Sequence, residues 1–256
     1  MTDGPGEPLS AAPAGAPPPS KESALARLVG VLFSPDETFA SIARKPDWAV
    51  PLLLFMAISL LSGFVFAHHV DFLAPAREQM EAQGKLTPDQ INSQLKIAGA
   101  IAKVIAYCSP IVSVIVFMIV AAVLLLAYRM MGGEGDFRQY LSVTLYAWVP
   151  QIIQVIIMVI ILATRSELTS AGDLPTLVRS NPAFLVNPHE HQVLFAFLSS
   201  FDVFTIWSLV LMVIGFAHVS RFSKKKSAGV LITMWALWTG IKLVPAAIGA
   251  MLGSRK

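Results

Sequence analysis

The stretch LFSPDETFASIARKPDWAVPLLLF, residues 32–55, sets a charged helix start directly before an uninterrupted apolar run. In a soluble chain such a run is buried core. Here four more apolar runs follow, so the reading turns to lipid. The Ser34-Pro35-Asp36-Glu37 tetrapeptide predicts a capping box, in which Ser34 accepts a backbone N–H and Glu37 reaches back to the cap; Thr87-Pro88-Asp89-Gln90 and Asp136-Phe137-Arg138-Gln139 predict two more. Proline suits the first helical turn because its missing N–H has no intrahelical partner there. The helix carries Phe39 and Ile42 on one face and ends at Lys45-Pro46. The upstream SALARLVGVLF, residues 23–33, reads as a second short amphipathic helix. Both are expected on the cytoplasmic membrane surface or against the protein's own spans.

Composition agrees with a membrane reading. Of 256 residues, 55% are hydrophobic and 14% charged, with mean hydropathy +0.66; soluble domains carry about 25% charged residues. The net charge of +3 is small and not gathered into a patch that would hold nucleic acid. The single cysteine, Cys108, allows no internal disulfide. Residues 1–20 hold six prolines, three glycines and neither Lys nor Arg, which predicts a disordered tail rather than a secretory signal.

About 20 apolar residues carry a helix across hydrocarbon. Five stretches qualify, at 48–67, 100–128, 141–163, 193–219 and 229–252. The expected organisation is a tail over 1–20, interfacial helices over 21–47, a five-span membrane domain over 48–252 and a short external tail over 253–256. Lys and Arg favour the loops on one side by ten to seven, densest at Arg221, Lys224, Lys225 and Lys226. Cytoplasmic loops carry such an excess, so the N-terminus is expected inside and the C-terminus outside. The same four residues are candidates for contact with anionic lipid headgroups, beside their plainer role of setting topology.

Three blocks resemble those of the Yip family, five-span membrane proteins named for binding Ypt/Rab GTPases. They are residues 32–55, GGEGDFRQYLSVTLYAWVP at 132–150 and FDVFTIWSLVLMVIGFAHVSRFSKKKS at 201–227. The chain lacks the long acidic, aromatic-rich N-terminal segment of the eukaryotic trafficking members. The resemblance therefore implies a bacterial-type member in the cytoplasmic membrane, all-α and polytopic, non-enzymatic, with the N-terminus in the cytoplasm. Lipid and protein partners meeting the N-terminal region fit this reading, with no cofactor.

Several residues invite sharper readings. Asp202 and Lys242 fall at matching depths in the last two runs and suggest a buried ion pair. Such a pair either fixes helix register or lines an ion path in a small transporter or channel. Pro110, Pro150 and Pro245 lie inside runs and would free the carbonyls of Ala106, Tyr146 and Ile241, for kinked packing or ion coordination. Gln151 and Gln154 read as interhelical links. His68 and His69, with His189 and His191, converge on the outer side and could offer imidazoles to zinc or copper; interfacial histidines are the simpler reading. GEGD at 133–136 matches a GxGD protease pattern, but Asp136 and Asp202 are expected on opposite sides, too far apart to share a proton.

Overall fold

Apolar helices long enough to cross lipid dominate the chain because each satisfies its own backbone polar groups. The computed structural model describes residues 23–188 and 190–253; the tail over 1–20, His189 and residues 254–256 lie outside them. Two short helices come first, α1 (Ala24–Phe33) and α2 (Pro35–Arg44). The first long helix, α3 (Ala49–His69), leads through β1 (Val70–Asp71) and α4 (Ala74–Gln83) to α5 (Pro88–Tyr107) and α6 (Ser109–Met130). A bent pair follows, α7 (Phe137–Ala147) and α8 (Val149–Ala163). Then come β2 (Thr169–Ser170), the single turn α9 (Leu174–Leu177), α10 (Gln192–Leu198), α11 (Val203–Ser220) and α12 (Lys224–Gly253).

Among the described residues, α3, α6, α11 and α12 are each long and apolar enough to span a membrane. The α7–α8 pair, bent by 40°, meets the same criterion when taken as one broken span, which brings the number to five. The fold is thus nearly all-α, with one two-residue parallel bridge, Val70 to Thr169 and Asp71 to Ser170, tying two loops together. Exposed apolar side chains such as Phe64, Ile115, Ile119, Trp238 and Ile241 belt the long helices, as a lipid-facing surface requires.

Two expected spans are shorter than their apolar runs. The run over 100–128 breaks at Cys108, between α5 and α6, and Pro110 heads α6. Its ring stands in a first turn, where it displaces no helix hydrogen bond. Pro150 likewise heads α8 after the break at Trp148, so it turns the chain rather than kinking a continuous helix. Only Pro245 of the three sits inside an unbroken helix. The run over 193–219 breaks at residues 199–202, and the span proper is α11.

The capping boxes divide. Thr87 with Gln90, and Asp136 with Gln139, exchange both bonds. Ser34 does not cap with its side chain. Its N–H already closes α1 on the Gly30 carbonyl at 2.7 Å, so Glu37 finds no free donor there.

Close backbone approach sets the first interface. Ser109 Oγ donates to the Ser59 carbonyl at 2.8 Å, and a Cβ on Gly63 would collide with the Ala106 carbonyl oxygen. One layer further in, the Phe55 and Phe117 rings meet at 4.6 Å, tilted to one another, and Phe117 meets Trp148 edge-on.

Candidate functional site

The best-packed part of the molecule is the end that holds α1 and α2. Arg27, 7% exposed, donates from its guanidinium to the Lys45 carbonyl and to Ser41 Oγ, both at 3.0 Å, clamping α1 onto the end of α2. Phe39 and Ile42 are fully buried. The Phe39 ring enters a notch left by Gly215 of α11, where a Cβ would lie 2.5 Å from Val143 Cγ1 and 2.9 Å from Phe39 Cδ1. Of the two placements open to α2, the structure has the one against the spans. An amphipathic helix tells which face is covered, not by what.

Polar contacts fasten α2 from its other sides. Gln139 Nε2 donates to the Ala43 carbonyl at 2.7 Å. Lys224 meets the Asp36 carboxylate at 2.7 Å and His218 meets it at 3.1 Å. The Lys224 ammonium first, and His218 after it, hold the Asp36 carboxyl below the usual carboxylate range. A depressed carboxyl contributes stability above its unfolded pKa and loses it as pH falls through the folded one. Asp36→Asn should therefore lower the melting temperature slightly at pH 7, and the difference from the parent should begin to shrink near pH 3.8 and vanish only once the pH has fallen through the lower folded-state value. The effect is small because the carboxylate is exposed and screened.

Tyr128 is the hub beneath this layer. Its hydroxyl lies 2.7 Å from Ser227 Oγ, and its ring packs on Tyr140, Phe216 and Phe222 at 5.3–5.7 Å. Gly132 and Gly135 turn the following loop at positive φ. The loop then bonds to α11 from Glu134 N–H to the Ser220 carbonyl at 3.2 Å. Arg221 pairs with Glu134 at 2.7 Å, and Lys226 donates to the Met131 carbonyl at 3.1 Å while covering the Phe222 ring. Of the four headgroup candidates only Lys225 has no partner among the described residues. Arg221, Lys224 and Lys226 also work inside the protein.

At the opposite, distal end the expected Asp202–Lys242 pair does not form. Asp202, 4% exposed, caps α11, accepting from the N–H groups of Phe204 at 2.9 Å and Thr205 at 3.3 Å. Its other oxygen accepts from Gln154 Nε2 at 3.0 Å and from Ser180 Oγ. Gln151 adds a 3.4 Å bond to Thr205, so both glutamines link α8 to α11. Lys242 is exposed on α12. The α11 helix has 18 residues, about 27 Å, close to the hydrocarbon thickness. Asp202 therefore stands at the distal boundary, not at mid-depth, because the apolar count ran across the break before it. Asp202→Ala should cost about 1–3 kcal/mol by stranding four donors, whereas Lys242→Met should stay within about 0.5 kcal/mol. Thermal unfolding in detergent should give additive losses in the double variant.

Asp136 caps α7 at the N-terminal end, far from Asp202, so the GxGD carboxylates stay apart. His68 bonds the Phe64 carbonyl at 2.8 Å and faces Tyr107 edge-on; His69 follows it, and His191 is exposed. Among the described residues, no three His, Cys, Asp or Glu side chains gather to hold a metal ion. Sequence reasoning missed the Arg27 clamp and the Tyr128 hub. Glycines inside apolar helices, Gly63 and Gly215, were the available signal of close packing.

Comparison with known proteins matches residues 29–244 to the Yip1 domain. Membrane protein YknW of Bacillus subtilis (strain 168) is 24% identical over 230 residues, covering 89% of this chain and 93% of that one. No solved structure matches.

Proposed function

The chain belongs to the Yip1-domain family of membrane proteins, and from that premise we propose that it is a non-enzymatic integral protein of a bacterial cytoplasmic membrane, engaging lipid or protein partners through the end that carries α1 and α2. The carrying observation is that α1 is apolar on two sides. Leu28 and Val31 face the core, while Leu25, Val29 and Phe33 are 69%, 58% and 81% exposed at helical i, i+4, i+8 spacing. A helix with two apolar faces fits between a protein core and a second apolar medium, either the bilayer interface or a partner. The basic residues gathered from Arg221 to Lys226 support a cytoplasmic location for this end. The transporter reading loses the ion pair on which it rested, since Asp202 is satisfied by four protein donors.

Spin labels at Leu25, Val29 and Phe33 should report apolar immersion in liposomes or occlusion by a partner in native membranes. Free aqueous exposure of all three in both settings would reject the proposal. For orientation, single cysteines at Lys225 and Lys85 in a Cys108→Ser background should react with an impermeant maleimide from opposite sides. Reaction from one side would reject the five-span topology.

A further inference from the structure

A groove of about 470 Å³ lies at the distal end, between α4 and α5. Leu73, Leu95 and Gly99 give it an apolar floor, and Arg77, Lys96 and Lys103 rim it. Gly99 keeps it open: a Cβ there would already touch Leu73 Cδ1 at 3.0 Å. Lys96, Gly99 and Lys103 recur at i, i+3 and i+7, one face of α5. All three cations are exposed, and none is in an ion pair among the described residues.

The register of the first interface gives the depth of the groove. The approach of Gly63 to the Ala106 carbonyl places those residues level on α3 and α5. Six to seven residues toward the distal end, about 10 Å, bring His69, the end of α3, level with Gly99. The groove thus stands where the hydrocarbon stops and phosphates begin. Roughly a third of a turn round the same helix, Ile97, Ile101 and Val104 are 69%, 54% and 60% exposed, an apolar track beside the groove whose last two members lie on the membrane side of Gly99.

We propose that this groove binds an anionic phospholipid of the distal leaflet, its phosphate held by Arg77, Lys96 and Lys103 and its acyl chains laid along α5. Three unpaired cations around one cavity complement a phosphate ester, and long cationic side chains at this level reach readily to the headgroup layer. The apolar track separates a lipid from a soluble phosphate, which would leave that track unused. Each cation at such a surface is worth about a fivefold change in affinity.

The test uses the full chain in phosphatidylcholine nanodiscs titrated with phosphatidylglycerol, read by lipid retention in native mass spectrometry and by the melting temperature. The parent should retain phosphatidylglycerol selectively. R77Q/K96Q/K103Q should bind it about 100-fold more weakly while melting like the parent in pure phosphatidylcholine; K85Q/R165Q, whose cations lie outside the groove, should bind like the parent. Gly99→Leu, which fills the groove and leaves every charge, should also lose selectivity. If the triple variant is unstable, Lys103→Gln alone decides, with an expected fivefold loss. Parent-like selectivity in the charge variants would overturn the proposal. So would equal stabilisation by inorganic phosphate, which would make the groove a free-phosphate site.

Discussion

Gly63→Ala is expected to lower stability by about 3 kcal/mol, the upper end of what one added methyl costs in a filled interface. The reason is what the methyl meets: the Ala106 carbonyl oxygen and Ser109 Oγ, where α5 gives way to α6. A side chain can rotate aside, but a carbonyl fixed in a helix turn cannot. To admit the methyl, α3 must withdraw and lose the Ser109–Ser59 bond. Gly240→Ala is the control, because nothing lies within 4 Å of its Cβ position. Removing a helix glycine there should be neutral or stabilising by up to about 1 kcal/mol. Thermal unfolding of both variants in the same detergent is the measurement, and equal melting temperatures would refute the close-approach argument.

Tyr128→Ala should cost about 3–5 kcal/mol, as removal of a fully buried aromatic does. It empties the space between Tyr140, Phe216 and Phe222 and leaves Ser227 without its hydroxyl partner. Tyr128→Phe keeps the packing and removes the hydrogen bond, at about 1 kcal/mol. Ser227→Ala should cost somewhat more than the phenylalanine variant, because Ser227 Oγ also donates to the Val213 carbonyl at 3.0 Å. Limited proteolysis between α2 and α3 gives a local readout: cleavage should rise in the alanine variant before global unfolding and stay at the parent level in the other two.

The architecture was legible because apolar run length is a strong signal, and the five runs correspond to four single helices and one bent pair. Run length does not show where a helix breaks inside apolar sequence. Cys108, Trp148 and residues 199–202 interrupt helices without interrupting hydrophobicity. That is why Asp202 was placed too deep and given the wrong partner. The Thr87 and Asp136 boxes could be read directly, being local tetrapeptide chemistry. The Ser34 box failed for a reason outside the tetrapeptide, since the preceding helix had already taken the Ser34 N–H. Phe39 and Ile42 were correctly placed on one apolar face, and only the tertiary fold identifies its partner as α11 rather than lipid.

The docking of α2 on α11 has a consequence for biogenesis. Asp36 and His218 are separated by 182 positions in the chain, so the segment made among the first cannot reach its seat until the fourth span has been threaded. At about 5–20 residues per second of synthesis, that delay is roughly 10–40 s. Throughout it, α1 and α2 can pack on each other and on α3, α7 and α8, but Phe39 has no Gly215 notch to enter. That side of α2 stays open until the fourth span arrives, so the first helices are among the last to be fully seated.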